Sequence, residues 1–460
     1  MRWPSFTPFK NFLDSLLFSS YNGLHRAIVH VPHIPIHSKA VGNLLHRRSV
    51  KNSLNPSIHT QPVSHSGHVR AKAYIAKKLM AEMDYDVVVV GGSSTGLIAA
   101  RESAKRGLRT VVFEEDKVIG RPEKCAGLYS IEGVRSLNIP VQGPYLQNIV
   151  RGAVFVSPSG KRFEVDASRD VAVVYNRERL DLFLAQQAAE AGAEIHVDTR
   201  VTEVKSSGQN LIVKTSSQTI STRHVISAEG RTATVARQML PRYRTGKWLP
   251  IIQYMIANHG NSPDMVYLYF KKYLPEFFGY LVPVDDEFGK LGVAASKGTQ
   301  LLVDKLLREN FPHAKVVGIM SSAIYVGGPL EPMRVGNFFL AGEVAGQVKA
   351  TTGGGVVTGG KAAEAAAQHI AGQGTYEQLY RETLHELKGT FALRRLIEHL
   401  SPKHIDLILS SLADSDYGHV FAKVGDMDKH RSTLARALAS KTSIKLTLNI
   451  VSRMLTGAYV

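Results

Sequence analysis

The stretch from Asp84 to Asp116, DYDVVVVGGSSTGLIAARESAKRGLRTVVFEED, limits what this chain can fold into. Four consecutive valines make a run suited to a strand buried on both faces, and a glycine turn follows. LIAARESAKRG reads as a helix stopped by Gly107, and RTVVFEE as a second strand. Together they form a βαβ unit of about 30 residues, the size a dinucleotide site requires. In such a unit the glycines of a G-x-G-x-x-G turn bring backbone N–H groups and a helix N-terminus against a pyrophosphate. Here the turn reads Gly91-Gly92-Ser93-Ser94-Thr95-Gly96, with Ser93 replacing the second glycine. An ordinary strand–turn–helix with no ligand is the competing reading. Glu114 closes the second strand eighteen residues after Gly96, where a carboxylate can accept from an adenosine ribose. An acid there prefers a free 2′-hydroxyl, which favours FAD or NAD over NADP. Because Glu115 and Asp116 follow it, a solvated strand-end acid is the plainer alternative.

At 460 residues the chain exceeds what one core usually supports, so more than one domain is expected. The single cysteine, Cys125, rules out an intramolecular disulfide and a cysteine-based metal cluster, and it suits a reducing compartment such as the cytoplasm. No metal site is expected. No window of about 18 apolar residues marks a membrane-spanning helix. The net charge of +17 is uneven: residues 1–82 hold eleven Lys and Arg against two acids, and eight of the eighteen histidines. Much of the basicity is therefore a property of the N-terminal stretch. No C-x-x-C, RNP-like or Arg-rich pattern accompanies it, so no nucleic-acid partner is expected.

Residues 1–82 lack sustained periodicity and read as an extension, disordered apart from a short helix over 70–82. Three explanations compete for it. It is a transit peptide, a basic arm touching anionic lipid, or sequence upstream of a true start at Met80 or Met83; the last is preferred. The folded part is expected to comprise the first part of a cofactor domain (83–240), a β-rich substrate domain (241–324), a completing part of the cofactor domain (325–374) and C-terminal helices (375–460). The late segment AGEVAGQVKATTGGG separates FAD from NAD. A second strand-to-turn element ending in an acid, then glycines 353–355 and a helix start, suits a flavin whose ribityl chain and ring need their own clamp. A glycine-rich helix cap is the bland alternative, at a high cost in chain entropy.

With these pieces in place the chain resembles the geranylgeranyl reductase family, especially the archaeal digeranylgeranylglycerophospholipid reductases. The resemblance runs in order from Asp84 to about residue 372. It includes GRPEKCAGLYS against a family pattern G-x-P-x-x-C-A-G-L, then NRERLDLFLAQQAAEAGA, ISAEGRTATVAR, FFGYLVP, GGPL and AGEVAGQVKATTGGG. It implies an α/β, FAD-binding glutathione-reductase-like fold of the para-hydroxybenzoate-hydroxylase type, with a β-sheet substrate domain and C-terminal helices. It places Gly91, Ser93, Thr95 and Gly96 at the pyrophosphate turn and Glu114 on the ribose. Cys125, Ala126 and Gly127 lie along the flavin, and Arg177 opens a helix near the cofactor. Val201 gives a backbone contact to adenine, and Glu343, Gly355 and Val356 contact the ribityl chain and ring. Departures from the family pattern are Ser93 for glycine, Glu343 for aspartate and Glu229-Gly230 for Asp-Gly. Phe278-x-Tyr280-x-Val282-Pro283 also stands where the family has Tyr-x-Trp-x-Phe-Pro, which puts the particular prenyl substrate in question.

The implied activity is hydrogenation of isolated alkenes in geranylgeranylated lipids by hydride from reduced FAD, in membrane lipid biosynthesis. An unactivated alkene offers no carbonyl to polarise, so positioning in a dry apolar tunnel must supply much of the catalysis. Cys125 reads as a flavin contact and a candidate proton donor, and Tyr280 as a second candidate donor. With no second dinucleotide fingerprint, the electron donor is a ferredoxin, a reduced deazaflavin or transient NAD(P)H. Membrane contact is expected to be peripheral. Two alternatives share the same residues: a FAD-dependent monooxygenase or halogenase of this fold, and a degenerate prenyl-lipid carrier.

Overall fold

In the computed structural model the described residues are 85–415 and 417–438. The expectations for residues 1–82, and for helices beyond residue 438, lie outside them. The valine run forms strand Tyr85–Val90, whose last four residues are buried as a strand covered on both faces requires. It pairs in parallel with Thr110–Phe113 on one side and Thr219–Ser227 on the other. Phe338–Leu340 and Glu194–His196 extend the parallel set outward. Val201–Ser207 and Asn210–Thr215 form an antiparallel ribbon that returns onto Thr219–Ser227, and the sheet has eight strands in all. Because the central strands run the same way, the segments after Val90, Phe113, Ser227 and Leu340 meet at one edge. Ligands of open α/β sheets bind at this carboxyl edge.

Helix Ser94–Ala104 leaves the first strand and is buried along nearly its whole length. It packs against helices Arg177–Glu190 and Val356–Ile370. Val356–Ile370 is rich in alanine and glycine, which allows that close approach: a Cβ on Gly360 would stand 2.7 Å from Leu137 and 3.1 Å from Ile98.

The second sheet has seven strands, in the order Lys315–Tyr325, Trp248–Ala257, Phe288–Ala294, Gly279–Pro283, Met265–Tyr269, Gly152–Val156 and Arg162–Asp166. Its last two strands come from the stretch expected to belong wholly to the first part of the cofactor domain. Gly152–Val156 joins Met265–Tyr269 in parallel, and Arg162–Asp166 follows as a hairpin partner. Helix Thr299–Asn310 covers one face with Val303 and Leu306. The opposite face packs Ile251, Tyr280, Val282 and Phe277 against Ala126, Leu128 and the small three-stranded sheet built from Leu128–Ser130, Ala172–Tyr175 and Leu146–Val150. The described C-terminal helices run from Tyr376 to Leu438. Ser401 caps Pro402–Ala413 in a reciprocal box with His404.

Candidate functional site at the carboxyl edge of the parallel sheet

The turn after the first strand tolerates only glycine at its ends. Gly91 has φ +99°, and a Cβ there would stand 2.6 Å from the Ala228 carbonyl oxygen; on Gly96 it would stand 1.9 Å from that of Gly91. Ser93, where a second glycine was expected, is exposed and extended. Its hydroxyl does not cap the helix but accepts from Arg177 Nη2 at 2.8 Å. Arg177 grips Asp181 through Nε (3.0 Å) and Nη2 (3.1 Å), and Asp181 also accepts from Ser94 Oγ at 2.5 Å. Burial alone would weaken the guanidinium's hold on its proton, but Asp181 reverses this and keeps Arg177 charged. The N-terminus of Ser94–Ala104 thus carries no side-chain cap and has a fixed cation beside it, a ready anion site.

Glu114 lies on the rim of this turn. Its carboxylate accepts from the backbone N–H of Gly92 at 2.5 Å and of Asp116 at 2.8 Å. Its own carbonyl accepts from the backbone N–H of Thr199 at 2.8 Å, two residues before Val201. Glu229 accepts from the backbone of Val235 and Ala236 and from Ser227 Oγ. It caps helix Thr234–Met239, a role its extra methylene over aspartate does not prevent.

The second clamp follows Leu340. Gly342 (φ +83°) opens a single 3₁₀ turn, Gly342–Ala345, held by the fully buried Gln347, whose side-chain oxygen accepts from Gly342 at 2.7 Å and whose amide donates to Tyr376 Oη at 3.0 Å. Sequence reasoning missed Gln347, which lies between Gly346 and Val348 without a motif of its own. Thr95 fills the space between Gly342 and Gly359, so it spaces the two helices as well as lining the turn. Glu343 reaches solvent, but the protein crowded around it pushes its pKa up against the opposing pull of Arg177 and Arg231. Gly355 starts helix Val356–Ile370 without a side-chain cap, leaving a second free N-terminus beyond glycines 353–355. Lys349, in the same loop, donates to Asp428 at 2.6 Å and to the Met427 carbonyl at 2.7 Å.

The cysteine loop closes the site toward the second sheet. Gly127 has φ +80° and approaches Tyr175 so closely that a Cβ would stand 2.0 Å from its carbonyl oxygen. The half-buried Cys125 accepts from Gly127 N–H at 3.3 Å, and its sulfur lies 3.6 Å from the buried Tyr129 hydroxyl. Burial, then Cys125, pushes the Tyr129 phenol well above its usual range. Tyr280 lies across Gly292, where any side chain would meet its ring, and donates to Gln253 Oε1 at 2.8 Å. Burial raises its pKa too, with Cys125 near enough to add to the effect. Tyr129, Gln253 and Asp181 were not anticipated. Asp181, four residues past Arg177 on the same helix face, carried the clearest signal.

Two uncapped helix N-termini, two glycine turns without room for side chains, the Glu114 carboxylate at the strand end and an arginine paired with Asp181 fit a flavin dinucleotide. Among the described residues no group of three or more His, Cys, Asp or Glu could hold a metal ion. A family model described as FAD dependent oxidoreductase matches residues 86–246. The digeranylgeranylglycerophospholipid reductase of Methanococcus vannielii is 26% identical over 374 residues, covering 75% of this chain and 95% of the relative. A geranylgeranyl bacteriochlorophyll reductase-like structure from Thermoplasma acidophilum superposes with a TM-score of 0.70 at 21% identity, covering 80% of this chain and 98% of that one. The p-nitrophenol 4-monooxygenase of Pseudomonas putida superposes with a TM-score of 0.56 at 16% identity, covering 81% and 98%. The fold and the site define a FAD-dependent oxidoreductase. Within that class the chain is similar, over about three quarters of its length, to the digeranylgeranylglycerophospholipid reductases.

Proposed function

We propose that this protein reduces isolated C=C bonds in the geranylgeranyl chains of prenyl lipids. The observation that carries this reading is the position of the Cys125–Leu128 segment. It joins the cofactor edge to an apolar sheet face made by Ile251, Phe277, Tyr280 and Val282. Apolar side chains of this kind suit a hydrocarbon chain better than a polar aromatic. Bound FAD, once reduced, supplies the hydride. The chain's own residues hold the alkene in register and exclude water, which matters most for a substrate without a polarisable group.

They also supply a proton. The Tyr280 proton is committed to Gln253, so Cys125 is the proposed donor, with the Tyr129 hydroxyl behind it as the group that restores the thiol. A ferredoxin, a reduced deazaflavin or NAD(P)H serves as electron source. Membrane contact at the C-terminal helices gives access to the lipid; none of the described helices is long and apolar enough to cross a membrane.

The test is anaerobic incubation of dithionite-reduced protein with vesicles of geranylgeranylated phospholipid, followed by mass analysis. Each saturated bond adds one H₂, and protein should co-sediment with the vesicles. Unchanged lipid masses with fully reduced flavin would reject the proposal. The monooxygenase superposition motivates one alternative, which requires oxygen consumption and an oxygenated product.

A further inference from the structure

Lys290 is among the largest fully buried side chains of the protein, at 1% exposure. It stands opposite Val282 in the seven-stranded sheet, and Tyr280 stands opposite Gly292, so all four share the apolar face turned toward the cysteine loop. A buried ammonium needs a fixed counter-charge and filled hydrogen bonds. Lys290 Nζ donates to Glu123 Oε1 at 3.0 Å and to Gln147 Oε1 at 3.1 Å.

Glu123 lies two residues before Cys125. The same Oε1 accepts the backbone N–H of Arg177 at 3.0 Å, and Oε2 faces Asn176 Nδ2 at 3.5 Å. One carboxylate therefore ties together the substrate sheet, the cysteine loop and the start of the helix whose arginine holds Ser93. The loop's other side-chain ion pair, Arg121 with Glu178 at 2.5 Å, joins it to that helix and leaves the sheet untouched.

We propose that Lys290, acting through Glu123, is a positioning residue that fixes the Cys125 loop against the substrate-facing sheet and so sets the exposure of the thiol. This rests on the reading of Cys125 as a group at the flavin, but its test does not depend on any lipid being reduced. Cys125 is the chain's only cysteine, so alkylation by iodoacetamide reports on this loop alone. In the FAD-loaded protein, Lys290→Met and Glu123→Gln should each accelerate alkylation about tenfold by allowing local opening of the loop. The double variant should be no faster than either single one, because both remove the same tie.

A purely electrostatic effect moves the two variants in opposite directions. The two substitutions remove charges of opposite sign, so their electrostatic effects on the loop oppose each other. Flavin absorbance and far-ultraviolet circular dichroism confirm that the variants are folded and loaded. If Lys290→Met fails to fold, Lys290→Gln, which keeps a polar end beside Glu123 and Gln147 but removes the charge, takes its place in the comparison. Alkylation at the unaltered rate, opposite shifts in the two variants, or additive acceleration in the double variant would each overturn the proposal. Failure of lipid reduction with accelerated alkylation would reject the substrate and leave the positioning role standing.

Discussion

The two large sheets build their halves of the site from different materials. The parallel sheet presents backbone: glycine turns, uncapped helix N-termini and carbonyl edges beyond Val90, Phe113 and Leu340. The seven-stranded sheet presents side chains standing on one face, with Tyr280, Gln253 and Lys290 among aliphatic neighbours. A backbone site tolerates changed side chains wherever the chain path survives. Ser93 fits beside Arg177, and Glu229 still caps its helix. A side-chain site has no such tolerance, because each residue is itself the contact.

The sharpest way to break this comparison lies in the backbone half. Gly96→Ala should abolish FAD retention, because the new Cβ would stand 1.9 Å from the Gly91 oxygen and force turn and helix apart. Overpacking of about 3 kcal/mol would weaken binding on the order of 100-fold. Ser93→Gly, in the same turn, should change affinity only a few-fold. Flavin absorbance after gel filtration distinguishes the two. Equal losses in both variants would mean that side chains matter in this half as well.

A smaller effect is expected in the other half. Tyr280→Phe strips the buried Gln253 oxygen of its donor, at a cost of about 1–3 kcal/mol in unfolding free energy. FAD content should stay unchanged, because Tyr280 belongs to the other sheet. A Tyr280→Phe, Gln253→Leu pair should recover part of the loss, since both polar partners are then gone. Chemical unfolding curves measure it, and a Tyr280→Phe variant that loses flavin would erase the distinction between the halves.

The same contrast explains what could be read from the sequence. The valine run, the glycine turn, Glu114 and the TTGGG segment were legible because backbone conformations such as φ +99° at Gly91 leave a mark in residue type. The side-chain half left weaker marks. Gln253 is one polar residue in WLPIIQYMIA and Lys290 one in FGKLGVA. Neither period nor propensity says that a partner waits across Gly292 or in the cysteine loop. Strands Gly152–Val156 and Arg162–Asp166 were assigned by chain order to the other half, because a long-range parallel pairing with Met265–Tyr269 has no local signature.

The segment Asp426–His430 touches both halves, and acid tests whether it holds them together. Met427 packs against the apolar cluster of the seven-stranded sheet, and His430 Nδ1 lies 2.8 Å from Thr351 Oγ1 in the glycine-rich loop. Burial, then Lys349, lowers the His430 pKa from 6.5 to about 4, with Asp428, the Met427 backbone and Asp426 opposing. The folded state thus prefers neutral histidine, and the unfolded chain takes up the proton first as pH falls. The stabilisation is complete above about pH 6.5 and is lost progressively toward pH 4, by about 2 kcal/mol at pH 5. His224, in the parallel sheet, is lowered to about 4 by burial, Arg223 and His369, and contributes a loss of the same sign. Location separates the two. His430→Asn, which keeps a hydrogen-bonding atom near Thr351, should flatten the acid loss of both melting temperature and FAD retention between pH 6.5 and 5. Removal of His224 should flatten only the melting temperature. If FAD retention falls with acid equally in both variants, the C-terminal segment does not clamp the glycine-rich loop.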